Sequence, residues 1–288
     1  VKSQRLNKSA QQANQVDAEQ AGWLRQLHLD FRRRARRRTA AVHAVQLALL
    51  AMFLGWWEAA GRLGWIDVLL FSYPSRIGQH LWTTLADGTL PPHIAVTVTE
   101  TVVGFLLGTI GGAMLAALLW WFPFVSRVAD PYLVVLNSMP KVALGPIFIV
   151  SLGPGFLSIV ATTLSITVII TTLVIYNRFR EVDPNYIKVM QLFGAKRSQV
   201  FREAVLPDSY PVIISTLKVN VGLAWIGVIV GEFLVAKSGL GYLIIYGFQV
   251  FNFTLVLSSL IVIAIVAAMM YQLVAKVERK LMAGWKDR

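Results

Sequence analysis

The stretch 142–177, VALGPIFIVSLGPGFLSIVATTLSITVIITTLVIYN, contains no charged residue and is broken at Gly153-Pro154-Gly155. An α-helix needs about 20 apolar residues to cross roughly 30 Å of hydrocarbon, and the Gly-Pro-Gly punctuation reads as a turn between two such spans. Similar runs lie on either side. Residues 39–57 and 101–126 are uncharged, 209–236 holds only Lys218 and Glu232, and 238–275 is uncharged again. Gly239, Gly241 and Gly247 punctuate the last run, so its span is expected from about Asn252 onward. Backbone polar groups cannot stay unpaired in lipid, so these runs are helices. The expected fold is all-α, with six transmembrane helices in one membrane domain over 40–276.

Composition agrees. Of the residues 56% are hydrophobic and only 15% are charged, with a mean hydropathy of +0.61, whereas about a quarter of the residues in soluble domains carry charge. There is no cysteine, which excludes disulfides and thiolate metal sites. Residues 1–39 are polar and basic and lack the short apolar core of a cleavable signal, so the first membrane helix is expected to act as the insertion signal.

The net charge of +12 raises the question of a nucleic-acid partner, and the location of the charge answers it. If the N-terminus is cytoplasmic, 22 of the 27 Lys and Arg fall in cytoplasmic segments. Only Arg62, Arg76 and Lys237 fall outside, and Lys141 and Lys218 lie within spans. That asymmetry is the positive-inside pattern. It accounts for the arginine run at 32–38 as a topology determinant at anionic headgroups and leaves no nucleic-acid role to explain. Both termini are then cytoplasmic: a basic N-terminal segment over 1–39, with a surface amphipathic helix over 16–31, and a tail over 277–288. His80 and His93 fall in the external segment 60–95 with no acidic cluster near them. They read as solvated loop histidines, and no metal is expected.

Between the fourth and fifth spans lies a polar loop, 178–209. Its core at 186–207 reads YIKVMQLFGAKRSQVFREAVLP. Gly194-Ala195 reads as the bend between two short helices, Leu206-Pro207 as the stop of the second, and Pro211 as part of the start of the fifth span. A short helix presented in this way can dock in a groove on a soluble partner. On the second span, Gly104, Gly108 and Gly112 recur every four residues, a spacing that lets another helix approach closely. Gly227 and Gly231 repeat the device more weakly on the fifth.

The loop resembles the cytoplasmic signature of inner-membrane permeases of binding-protein-dependent ABC importers: E-A-A, three residues, Gly, nine residues, I-x-L-P. Gly194, Leu206 and Pro207 match, while Lys188-Val189-Met190 stand in place of E-A-A and Ala204 in place of Ile. The resemblance extends over about 55–278. Asp130-Pro131 and the block from Asn137 to Gly153, together with Ala224-Trp225, Gly231-Glu232 and Gly239-Leu240-Gly241, are similar to the nitrate, sulfonate, taurine and bicarbonate branch. Glu100 departs from it, since many members carry Arg near that point.

The resemblance implies a type I importer permease fold in a bacterial inner membrane. It also implies a second permease copy, two cytoplasmic ATPase subunits and an external solute-binding protein. Gly194, Ala195, Lys196, Leu206 and Pro207 would then couple to the ATPase. No G-x-x-x-x-G-K-[ST] occurs in the chain, so it is expected to be no enzyme and to hold no cofactor, with ATP and magnesium on the partner. Charges within spans cost a few kcal/mol, which makes Lys141, near the middle of the third span beside Asn137, Ser138 and Pro140, a candidate counter-charge for a small anion. Glu232, Asn220 and Trp225 on the fifth helix are further pathway candidates, with Glu232 read mainly as a gating or helix-packing contact. Lys218 is expected to snorkel, and the hydroxyls of the fourth span to bond between helices. Two alternatives stay open: a heterocyclic vitamin or pyrimidine precursor as solute, and an ATP-independent carrier, for which inverted repeats would be the sign.

Overall fold

The computed structural model describes residues 38–286, and the chain divides into two compact units, Val1–Ile66 and Asp67–Arg288. The surface helix expected over 16–31 lies outside the described residues. The described part of the first unit is built on α1 (Arg38–Arg62), which is long and apolar enough to span a bilayer.

The second unit runs α2 (Val68–Phe71), α3 (Pro74–Ala86), α4 (Leu90–Trp121) and α5 (Pro123–Ser138). A 3₁₀ turn (Lys141–Leu144) then leads to α6 (Gly145–Leu152), α7 (Phe156–Glu181) and α8 (Pro184–Leu192). After these come α9 (Arg197–Val200), a π turn (Phe201–Val205), α10 (Leu206–Val235), α11 (Leu240–Gln249) and α12 (Phe253–Lys286). No strand occurs among the described residues. Among the described residues five helices qualify as membrane spans, and a sixth is obtained if α5 and the Lys141–Leu152 arm, bent by 95° from one another, count as one. The protein is an all-α integral membrane protein.

The third span is therefore broken beside Lys141, where Pro140 and Pro146 are expected to loosen the helix. Met139 precedes Pro140, and the proline ring disfavours helical backbone on its predecessor; Met139 adopts φ −70°, ψ 139° and ends α5. Pro146 then occupies the first turn of α6, where a missing amide costs nothing.

α7 is the central helix, and α4 and α10 pack on it more extensively than any other pair of elements in the unit. The glycines make this possible. A methyl group built on Gly104 would lie 2.5 Å from Thr163 Cγ2, and one on Gly112 would lie 2.5 Å from Thr171 Cβ. At Gly108 it would collide with Thr167 Oγ1. From the other side, Gly227 of α10 meets the Thr163 Cα at 2.6 Å by the same construction. In lipid there is little hydrophobic gain between helices, so close backbone approach and dispersion hold them together.

The hydroxyls of α7 do not serve mainly as interhelical hydrogen bonds. Thr162, Thr163, Thr167 and Thr171 each donate to the carbonyl four residues back on their own helix, at 2.6–3.0 Å. That carbonyl is already in reach, so the hydroxyl satisfies itself and presents a compact flank to the facing glycine. Two threonine hydroxyls of α7 also bond across helices. Thr172 Oγ1 reaches the Gly112 carbonyl at 3.2 Å, and Thr171 Oγ1 accepts from Asn220 Nδ2 at 2.7 Å.

A substitution pair tests this packing. Overpacking a filled contact costs about 1–3 kcal/mol, on the order of a 5 °C drop in melting midpoint for a chain of this size. Gly108→Ala is expected to show that loss in thermal unfolding of the detergent-solubilised chain. Gly222→Ala, on the same bundle with nothing within 4 Å of the added carbon, is expected to leave the midpoint unchanged or raise it slightly. Equal midpoints for the two variants would contradict the account.

Candidate functional site

The loop between α7 and α10 is built by ordinary capping chemistry. Asp183 caps α8, its Oδ1 accepting from the Asn185 amide at 2.8 Å, with Pro184 at the first helical position. At the other end the Gly194 amide donates to the Gln191 carbonyl at 2.9 Å and the Ala195 amide to the Met190 carbonyl at 3.0 Å. That is the Schellman pattern, and it requires left-handed backbone at the residue after the cap; Gly194 supplies it with φ 79°. Met190 and Ala195 both pack on a hydrophobic cluster that includes Leu119, Ile175, Phe179 and Val200, which ties the loop to the ends of α4 and α7. At the start of α9, Gln199 Oε1 accepts from the Lys196 amide at 2.7 Å.

Leu206-Pro207 does not stop the second loop helix. The helix continues without interruption from Arg197 to Val235. The Phe201–Val205 segment is a π turn in which the Leu206 amide donates to the Phe201 carbonyl five residues back. This shift of register lets Pro207 follow without the helix ending, which a mid-helix proline would otherwise favour. Pro211 likewise sits inside α10 rather than at its start. The loop's second arm and a membrane helix are thus one rigid element.

The tip of the loop carries two side chains that the sequence reading passed over. Leu192 is 87% exposed and Phe193 88% exposed, adjacent to the bend. Of the residues expected to couple, Gly194, Lys196, Leu206 and Pro207 are exposed and Ala195 is half-buried. The only sequence signal for the tip was a pair of apolar residues next to a helix-ending glycine.

The expected pathway residues fall into two groups. Asn137 and Ser138 lie exposed at the end of α5, and Lys141 opens the 3₁₀ turn at the bend. The break frees the Asn137 carbonyl, and the Lys141 ammonium takes it at 2.8 Å. Asn137 and Ser138 line an open groove of about 650 Å³ between α5 and α7, together with Asn177 and Arg180.

Asn220, Trp225 and Glu232 are instead buried within the bundle. Asn220 Nδ2 donates to Thr109 Oγ1 at 2.8 Å as well as to Thr171. Glu232 accepts from Thr97 Oγ1 at 2.6 Å and from the Gly241 amide at 2.5 Å, and so holds the start of α11 against α4 and α10. A methyl group on Gly239 would collide with the Glu232 carboxylate, which explains a glycine there. Glu100, on α4, lies beside the same carboxyl.

Lys218 pairs with Glu278 of α12 at 2.9 Å. His93 is not a free loop residue; its Nδ1 accepts from the Gly239 amide at 3.0 Å, and its ring stacks on Tyr242. His80 lies on α3, where burial lowers its pKa against the opposing field of Asp87. Among the described residues no group of three potential metal ligands comes together.

Comparison with known proteins accounts for this arrangement. A permease protein of Bacillus subtilis named for aliphatic sulfonates transport, SsuC, is 28% identical over 244 residues, covering 84% of this chain and 87% of that one. The formylaminopyrimidine transport permease protein ThiX of Halalkalibacterium halodurans is 32% identical over 187 residues, covering 65% and 74%. Among solved structures, the MetNI methionine ABC transporter in an inward-facing conformation superposes with a TM-score of 0.58 at 19% identity, covering 67% of this chain and 95% of that one, which shows a shared fold. Residues 104–282 match the family described as "Binding-protein-dependent transport system inner membrane component". The chain belongs to that family: it is a multi-pass inner-membrane permease subunit of an ABC importer.

Proposed function

We propose that this permease forms the pathway for a small anion of the sulfonate, nitrate, taurine or bicarbonate type, and that it draws its driving force from an ATPase docked at the Leu192-Phe193 tip. The observation that carries the coupling half is the exposed apolar tip beside an arm that is continuous with α10. A soluble partner that buried those two side chains would gain about 1.5–3 kcal/mol from each. Any displacement it imposed on α9 would pass into the bundle along one helix, without an intervening hinge. Alternating access is then a two-state rearrangement of the helices, biased by ATP closure in the partner.

The working assembly is two permease copies, two ATPase subunits carrying ATP and magnesium, and an external binding protein that delivers the solute. The charge distribution supports a cytoplasmic loop and cytoplasmic termini. For the solute, the ammonium of Lys141 at the broken span favours an anion. The likeness to a relative named for aliphatic sulfonates transport supports the same reading. A second reading, a pyrimidine-type precursor, is favoured by the likeness to the formylaminopyrimidine permease. Uptake of a radiolabelled alkanesulfonate against a labelled formylaminopyrimidine by the reconstituted importer separates the two.

Phe193→Asp is expected to weaken association with the ATPase subunit by tenfold or more, since a buried aromatic anchor is worth about 2 kcal/mol or above. Co-purification at fixed detergent and salt measures this, and undiminished recovery of the ATPase would remove the tip from the interface. Lys141→Met is expected to lower ATP-driven uptake by about tenfold, the loss of one charge-assisted contact, while leaving the assembled complex intact. Unchanged uptake would show that Lys141 does not meet the solute.

A further inference from the structure

Between the loop and the ends of α4, α5 and α7 lies a cavity of about 660 Å³, which shares Asp130, Tyr176 and Arg180 with the α5–α7 groove. Its walls come from the α4–α5 turn, the last turns of α7 and the inner side of α8–α9. Three arginines line it: Arg127 from α5, Arg180 from α7 and Arg197 from α9. Among the described residues Asp130 is the one carboxylate on the lining, against three arginines.

None of the three guanidiniums is used up. Arg127 makes a long 3.4 Å contact from Nε to the Pro123 carbonyl and has no carboxylate partner among the described residues. Arg180 pairs only loosely with Asp130, at 3.6 Å, and lies over the Tyr176 ring. Arg197 donates one Nη2 bond to the Trp120 carbonyl at 2.7 Å and stacks over the Trp120 ring at 5.0 Å. A backbone carbonyl and an aromatic face orient this guanidinium without neutralising it. The three come from three separate helices and converge on one cavity, and arginine's planar fork fits phosphate oxygens in pairs.

The rim indicates the depth. Trp120, Trp121 and Phe201 cluster at its edge, and Phe122 and Phe124 next to them are exposed. An aromatic group of this kind, at the end of a span, marks the headgroup level of a bilayer. Basic pockets between membrane helices on the cytoplasmic side take anionic lipid headgroups.

We infer that this cavity is a binding site for a phosphate group, and that its source is the headgroup of an anionic phospholipid. A phosphate held there would bridge α5, α7 and α9 and brace the coupling loop against the bundle. The choice of lipid rests on the cytoplasmic placement of the loop proposed above. Binding itself does not, because it requires no ATPase and no transport.

The full chain, purified in mild detergent and offered equal amounts of phosphatidylglycerol and phosphatidylcholine, is examined by native mass spectrometry for retained lipid. A parallel arm offers inorganic phosphate alone. Wild-type chain is expected to keep phosphatidylglycerol over phosphatidylcholine by about tenfold, the equivalent of one charge-assisted contact. Arg127→Gln/Arg180→Gln is expected to lose that preference. Arg279→Gln, remote on α12, is expected to keep it. The melting midpoint of the chain is expected to rise with phosphatidylglycerol in the wild type and not in the double variant, which separates loss of the site from loss of the fold. Retention of inorganic phosphate in place of lipid, lost in the same double variant, would establish the phosphate site with a free anion as its source. Equal retention of both lipids together with no phosphate adduct would overturn the inference, as would a preference undiminished in the double variant. Either failure would leave the ATPase-coupling reading standing.

Discussion

Thr163 has a glycine on each side, Gly104 of α4 and Gly227 of α10, each too close to admit a methyl group. The rest of the bundle depends on this double contact. Helices gain little by hiding apolar surface from lipid that is itself apolar, so their association rests on how near their backbones can come. With α4 and α10 seated on α7, Asn220 is placed to bond both neighbours, and Glu232 is placed to grip the start of α11. Polar groups that would be costly in hydrocarbon become fastenings because the glycines bring their partners within reach.

That compact centre gives the loop something to act on. α10 is both a wall of the packed core and, through the π turn, the continuation of the loop's second arm. A force applied to α9 therefore reaches Gly227 and Gly231 along one helix. The broken third span has a different character. Its bend exposes backbone and polar side chains beside the open α5–α7 groove, and irregular backbone at membrane depth is tolerated where it lines a cavity or is buried in protein. In the function proposed above, the rigid part of the fold serves transmission and the irregular part lines the passage.

Much of this was legible in the sequence, and the reasons it stopped where it did are physical. Uncharged runs located the spans because hydrocarbon tolerates little else. Glycines every four residues located the tight contact because spacing of that kind keeps them on one helix face. Pro140 disclosed a weak point, but not that the chain would turn through 95° there, since the angle is set by what α6 packs against. Pro207 read as a stop because proline disfavours the α register; the π turn that accommodates it leaves no mark in composition. The fourth-span hydroxyls read as interhelical bonds, yet a carbonyl of the same helix was nearer. Leu192 and Phe193 read as ordinary apolar residues, because exposure is a property of the fold and not of the local pattern. Glu232 read as a gating or helix-packing contact, while its hold on Gly241, nine residues along the chain, became visible only with α11 in place.

The central claim is that a loop on the cytoplasmic face borrows an ATPase. The chain has no cysteine, so Ser198→Cys places a single thiol on exposed α9, beside the tip without altering it. Treated with a membrane-impermeant maleimide, this thiol should react in inverted vesicles and stay unlabelled in intact cells. With a short thiol–amine cross-linker in the assembled importer, it should join the chain to an ATP-hydrolysing subunit. Labelling from the outside of intact cells, or an assembled importer in which no ATPase is captured, would contradict the account.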